Sequence, residues 1–202
     1  MASLAVLAVL AARLNREAGR PPIPALYFFT DPVRTPDPAK VATRLPRGTA
    51  IVFRHFGAPD RLAQAKALKR ICRRRGLKLF IAADPALARQ VNADGVHWPE
   101  SRAPARRLPR GRGTYLQIVA AHSRRALARA AAAGFDACVL APVFVSRSRS
   151  AARALGAIKA GGLARGGRLP VIALGGVTAN TARRLIGRGF AGLAAVDAFL
   201  GA

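Results

Sequence analysis

Acidic residues are scarce in this chain. Nine Asp and Glu stand against 34 Lys and Arg in 202 residues, a formal net charge of +25. A field of that sign attracts polyanions or phosphorylated metabolites, although a preference for Ala and Arg codons produces the same count. The basic residues are spread along the chain and form no arm or tail. Aromatic residues are only 6%, too few for a platform on which single strands of nucleic acid stack. A specific nucleic-acid partner is therefore not expected. The two cysteines, Cys72 and Cys138, form no C-x-x-C pair and exclude a disulfide framework or a zinc site. They read as structural thiols of a reducing cytosol, so a cytoplasmic location is expected. Long hydrophobic runs are missing too. The opening "MASLAVLAVLAARLNREAG" is too short to span a bilayer. No Lys or Arg precedes its apolar run and no clear cleavage site follows it, as a signal peptide would need. It reads instead as a helix within residues 1–20, packed on the body of the protein.

What is present is globular. Hydrophobic residues make up 51% and charged residues 21%, which is outside the disordered range. The length suits one sizeable core, so residues 1–202 are read as a single domain. Apolar runs recur: "ALYFFT", "AIVFR", "LKLFIA", "DGVHW", "YLQIVA", "DACVLA", "PVIAL" and "GLAAV". They lack strict alternation, as strands covered on both faces do. A stretch with helical character follows each run, and the richest irregular stretches, "WPESRAPARRLPRGRG" and "APVFVSRSRSAARALG", both follow strands. "PDRLAQAKALKRICRRRG" and "SRRALARAAAAG" both end in Gly after a basic stretch, a helix stop signal. Eight strands alternating with helices predict an α/β fold, a compact (β/α)8 TIM barrel with an extra N-terminal helix. A doubly wound open sheet is the competitor, but no G-x-G-x-x-G follows the first strand.

Polar residues collect where the runs end, which in a barrel is the face that carries active sites. Thr30 and Asp31 follow the first run, Arg54 and His55 the second, Asp84 the third, His97 the fourth and His122 the fifth. All three histidines fall at such ends. "SRSRS" at 146–150 offers hydroxyls and guanidiniums to phosphate oxygens. "PVIALGGVTANTARRLIG" places two glycines between a buried strand and a helix start. Thr178 is the expected N-cap, and the N–H groups after Gly175 and Gly176 are expected to hold a phosphate. A bulky residue at 176 is expected to weaken that binding and leave the fold intact.

These strings carry a resemblance. "LYFFTD", "DGVHW", "AAHS", "APVFVSRSR", "ALGGVT" and "AAVDAF" are similar, in the same order, to those of the thiamine phosphate synthase and thiazole tautomerase family. The similarity runs from about Ala25 to the end. It implies a (β/α)8 enzyme of thiamine biosynthesis that joins hydroxymethylpyrimidine diphosphate to a thiazole phosphate and releases diphosphate with Mg²⁺. It implies catalytic roles for Arg54, His122, Ser148 and Arg149. It implies substrate contacts from Arg54, His97, Ser146, Ser148, Arg149, Gly175, Gly176, Ala195 and Val196, and Asp84 as the surviving Mg²⁺ ligand. The partners implied are the two phosphorylated small molecules, with a homodimer admitted and no membrane.

The chain also departs from the family pattern. Val52 stands where the family has glutamine, Phe56 where it has lysine, and Ala83 where it has asparagine. Arg102 stands at the second metal aspartate, with Glu100 nearby, and Asp197 replaces a serine. The tautomerase relative needs no diphosphate and works by acid–base chemistry, for which His122 and His97 are the candidates. A barrel that keeps only its phosphate site and a basic nucleic-acid-binding protein are the remaining alternatives.

Overall fold

The computed structural model describes residues 2–109, 115–146 and 153–200. Its eight strands are β1 (Leu26–Phe29), β2 (Ala50–Phe53), β3 (Lys78–Ala82), β4 (Gly95–Trp98), β5 (Leu116–Ala121), β6 (Ala137–Leu140), β7 (Val171–Ala173) and β8 (Gly192–Ala195). Seven lie within their apolar runs, and β5 extends one residue past its own, to Ala121. All neighbours pair in parallel, and β1 pairs with β8 at Phe28↔Ala195, closing a (β/α)8 barrel.

Apolar side chains alternate between two cores. Tyr27, Phe29, Val52, Phe80, Ile118 and Ile172 fill the barrel interior. Phe28, Ile51, Phe53, Leu79 and Ile81 face the helices. Both faces of every strand are thus covered, which is why the runs show no polar alternation.

The helices are α1 (Ala2–Glu17), α2 (Pro38–Ala42), α3 (Arg61–Arg75), α4 (Pro85–Gln90), α5 (Arg124–Ala132), α6 (Ala157–Arg165) and α7 (Ala179–Ala182). Helix α3 stops at Gly76, and α5 is capped at its start by the Ser123 hydroxyl. Helix α1 buries Leu4, Leu7, Leu10, Ala11 and Leu14, one stripe of its surface. Full burial of a leucine is worth about 1.5–3 kcal/mol. The stripe packs on β1, β8 and α7. Asn15 and Glu17 fasten the far end of α1 through the Ala191 carbonyl and the Gly187 N–H.

Two of the expected helices are missing among the described residues. After β8 there is only a 3₁₀ turn at Asp197–Phe199, and after β4 only a 3₁₀ turn at Glu100–Arg102, in the stretch read as irregular. Pro99, Pro104 and Pro109 punctuate that stretch, and proline denies a helix its N–H donors. Cys72 and Cys138 are buried and unpaired, and burial pushes both thiols up to about 12.

Candidate active site

The C-terminal strand ends surround a cleft of about 1330 Å³. Its lining includes Phe29, Arg34, Arg54, Phe56, His97, Glu100, His122, Ser146, Gly175 to Thr178 and Ala195 to Ala198. The expected contacts Arg54, His97, His122, Ser146, Gly175, Gly176, Ala195 and Val196 therefore line one cleft. Ser148 and Arg149 lie outside the described residues.

One end is built on the glycine pair. Gly175 and Gly176 have φ of +94° and +61°, a conformation that a Cβ disfavours. Thr178 caps α7, and Thr181 returns the bond to the Thr178 N–H. Among the described residues no acceptor takes the N–H groups of Gly175, Gly176 or Val177. The glycines also have a packing reason that spacing alone did not reveal. Phe144 N–H donates to the Gly175 carbonyl at 2.9 Å and Val143 N–H to the Leu174 carbonyl at 2.9 Å. A Cβ on Gly175 would lie 2.8 Å from Pro142 Cα, and one on Gly176 would overlap the Val145 carbonyl oxygen. The expectation that a bulky residue at 176 leaves the fold intact is therefore corrected.

The end at β1 and β2 carries guanidinium groups. Arg54 N–H donates to the Thr30 hydroxyl at 2.9 Å and its Nε to the Thr30 carbonyl at 2.7 Å, latching β1 to β2. Its guanidinium lies 5.4 Å from the Phe29 ring centre. Asp31 Oδ1 accepts the N–H groups of Val33 and Arg34, an Asx turn. The turn presents Arg34 to two carboxylates, Asp31 at 2.9 Å and Asp197 at 3.1 Å. Burial alone would raise the Asp31 carboxyl, but the bonds from Arg34 outweigh it and hold it at about 2. Asp197 thus does not stand bare before a bound anion. Arg34 is a site residue that the strand ends did not single out; the D-P-V-R turn was its signal.

The histidines separate. His55 is buried, with Nδ1 3.1 Å from Gln64 Oε1 and its ring against Phe53, and it does not line the cleft. His97 lies edge-on to Phe29, ring centres 5.0 Å apart, and neither ring nitrogen has a partner among the described residues. Burial, with Arg54 adding to it, pushes its pKa down to about 3, so it is neutral at pH 7. His122 Nδ1 is 2.7 Å from the Ala141 carbonyl. A carbonyl only accepts, so Nδ1 carries the proton and Nε2 is left as the base.

The carboxylates are already engaged. Asp84 caps α4 through the Leu87 N–H at 2.9 Å and pairs with Arg61 at 2.7 Å. Glu100 accepts Arg129 at 2.7 Å and the His122 N–H at 3.0 Å. Asp84 is not in the lining. Among the described residues no group of three or more His, Cys, Asp or Glu is placed to hold a metal ion.

The family model for thiamine monophosphate synthase matches residues 26–199. The chain belongs to that family. It is 28% identical over 195 residues to the thiamine-phosphate synthase of Bacillus velezensis, covering 92% of this chain and 87% of that one. Against the thiamine-phosphate synthase of Alcanivorax borkumensis it is 31% identical over 184 residues, covering 87% and 85%. The solved thiamine phosphate pyrophosphorylase of Pyrococcus furiosus superposes with a TM-score of 0.71 at 25% identity, covering 88% of this chain and 87% of that one. Within this family frame the departures have structural places. Val52 packs inside the barrel. Ala83 sits at φ +54°, a region that asparagine tolerates better than alanine. Phe56 is half exposed, with the Arg61 and Arg102 guanidiniums 5.6 and 5.5 Å from its ring centre.

Proposed function

We propose that this barrel is a thiamine phosphate synthase-like transferase, joining hydroxymethylpyrimidine diphosphate to a thiazole phosphate with release of diphosphate. The observation that carries the reading is the two-ended cleft. At about 1330 Å³ it exceeds the roughly 300–1,000 Å³ of a single-ligand pocket, and its ends differ in chemistry. The Gly175–Val177 amides suit the thiazole phosphate, being free donors in a concave turn. Arg54, beside His97 and Phe29, suits the pyrimidine and its leaving diphosphate. Electrostatic stabilisation of that leaving group is the main demand of the step, and a guanidinium held through Nε by the Thr30 carbonyl, on a backbone itself bonded to the Thr30 hydroxyl, suits it. Ser146 lies in the same lining, and the resemblance extends that role to Ser148 and Arg149.

The resemblance also implies Mg²⁺. Asp84 and Glu100 do not fit it as they stand, because their oxygens already accept Arg61, Arg129 and backbone N–H groups. No helix among the described residues is long and apolar enough to cross a membrane. A cytoplasmic location and a homodimer belong to the same reading.

One observation favours a second reading, a thiazole tautomerase-like activity. The Nδ1–Ala141 bond leaves His122 Nε2 free to move a proton in the cleft. A single assay separates the two. Both phosphorylated substrates are supplied and thiamine phosphate is measured by fluorescence after oxidation. Product supports the transferase. Proton exchange on a thiazole carboxylate phosphate without product, abolished by His122→Ala, supports the tautomerase. Neither activity leaves a phosphate-binding barrel without the chemistry.

A further inference from the structure

The region where the implied cation would sit is occupied by arginine chemistry. Asp84 is bound on both oxygens. Arg61, its partner, is itself anchored, donating to the Ala82 carbonyl at 3.0 Å. Its side chain is 18% exposed, and its buried Nε has no acceptor among the described residues. A cation entering at Asp84 would displace Arg61 and leave that guanidinium buried beside a second positive charge. The 3₁₀ turn after β4 offers no relief. Glu100 is held on both oxygens, and Arg102 stacks on Phe56 from the same turn. Asp31 and Asp197 share Arg34. Mg²⁺ takes near-octahedral oxygen ligands, usually one or two carboxylates with waters and substrate phosphates, and each of these four carboxylates already pairs with an arginine.

The cations available to an anion, by contrast, are in place. Arg102 has no carboxylate partner among the described residues. Arg54 stands 3.7 Å from its nearest carboxylate, Asp31, beyond hydrogen-bond length. Arg54 lines the cleft together with Phe56, and Arg102, outside the lining, reaches that wall through its stack on the Phe56 ring. Phe56 itself is bonded back to Arg54 through its N–H and the Arg54 carbonyl at 2.7 Å. Guanidinium forks match phosphate oxygens in geometry as well as charge.

We propose that the diphosphate end of this cleft works without a divalent cation, with Arg54 and Arg102 supplying the positive charge beside the Phe56 wall and Asp84 serving as an anchor for Arg61. The proposal rests on the transferase reading for the class of ligand, a diphosphate, but not for its test. Inorganic pyrophosphate is titrated into the full-length protein by calorimetry, in EDTA and in excess MgCl₂. Binding should be present in EDTA and strengthened no more than about threefold by magnesium. Arg102→Ala should weaken it about tenfold, the loss of one charge-assisted phosphate contact. Asp84→Asn, which keeps a capping side chain, should leave the affinity within about threefold. Thermal melts check that each variant is folded. Binding that needs magnesium, that vanishes with Asp84→Asn, that ignores Arg102→Ala or that fails in both media overturns the proposal. The two readings fail separately. EDTA-insensitive pyrophosphate binding without thiamine phosphate formation retires only the transferase, and magnesium-dependent product retires only this proposal.

Discussion

Adding one carbon atom at Gly176 should weaken the fold as well as the site. Two separate costs arise. The backbone there has φ +61°, and a side chain in that region costs about 1–2 kcal/mol. The new Cβ would also overlap the Val145 carbonyl oxygen and lie 2.8 Å from Phe144 Cβ. Overpacking of this kind costs roughly 1–3 kcal/mol, and backbone cannot swing aside as the tip of a side chain can. The sum for Gly176→Ala is about 2–5 kcal/mol. At about 2–4 °C per kcal/mol for a domain of this size, Tm should fall by roughly 4–20 °C. Gly162→Ala is the control. It lies in α6 with no atom within 4 Å of the added Cβ, so it should stabilise by about 0.5–1 kcal/mol. Differential scanning calorimetry reads both. A Gly176→Ala melt within a degree or so of the parent would refute the account of the loop packing. Calorimetric titration of a thiazole phosphate should show a loss of affinity in the same variant.

Ala83→Asn should raise the urea midpoint by the equivalent of about 0.5–1 kcal/mol, since asparagine tolerates the φ of +54° at that position; a lower midpoint would contradict this. Acid should act in two stages. His97, neutral when buried, has a folded pKa near 3 against 6.5 unfolded, so the stability it contributes is full above 6.5 and is lost as pH falls towards 3. Asp31, held at about 2 against 3.8 unfolded, contributes fully above 3.8 and loses its share as pH falls towards 2; denaturation followed against pH should show the loss begin near the histidine window, and Asp31→Asn should shrink the lower stage, to which Asp94 and Glu17, also lowered, contribute. Nucleic acid should bind at low salt only, with affinity collapsing as salt rises; nanomolar, sequence-selective binding in filter assays at physiological salt would place the protein in another class.

The barrel was legible because buried parallel strands announce themselves as apolar runs, and each of the eight marked its strand to within one residue. The N-cap at Thr178 was legible for a similar reason, being a local bond between residues three apart. What escaped were partners far away in sequence. Nothing near Asp84 in the chain says that Arg61 will occupy its second oxygen. Nothing near Gly176 says that Val145 will press against it. His55 and His97 look alike as strand-end histidines, yet one meets Gln64 from α3 and the other meets only Phe29 and the cleft. The irregular stretch after β4 was legible in its prolines; that the chain after β8 winds only into a 3₁₀ turn was not.

Helix α1 has a consequence for the order of events during synthesis. Its apolar stripe is made first, but two of the surfaces it covers, α7 and β8, are made last. Strand β1 likewise waits for β8 before its second edge is paired. Until Gly192–Ala195 leaves the ribosome, the growing chain carries an uncovered leucine row and two open parallel edges, the features that invite association between nascent chains. Chains truncated before Gly192 should therefore collect in the insoluble fraction, and production of this protein should depend on chaperone capacity more steeply than its final stability would indicate.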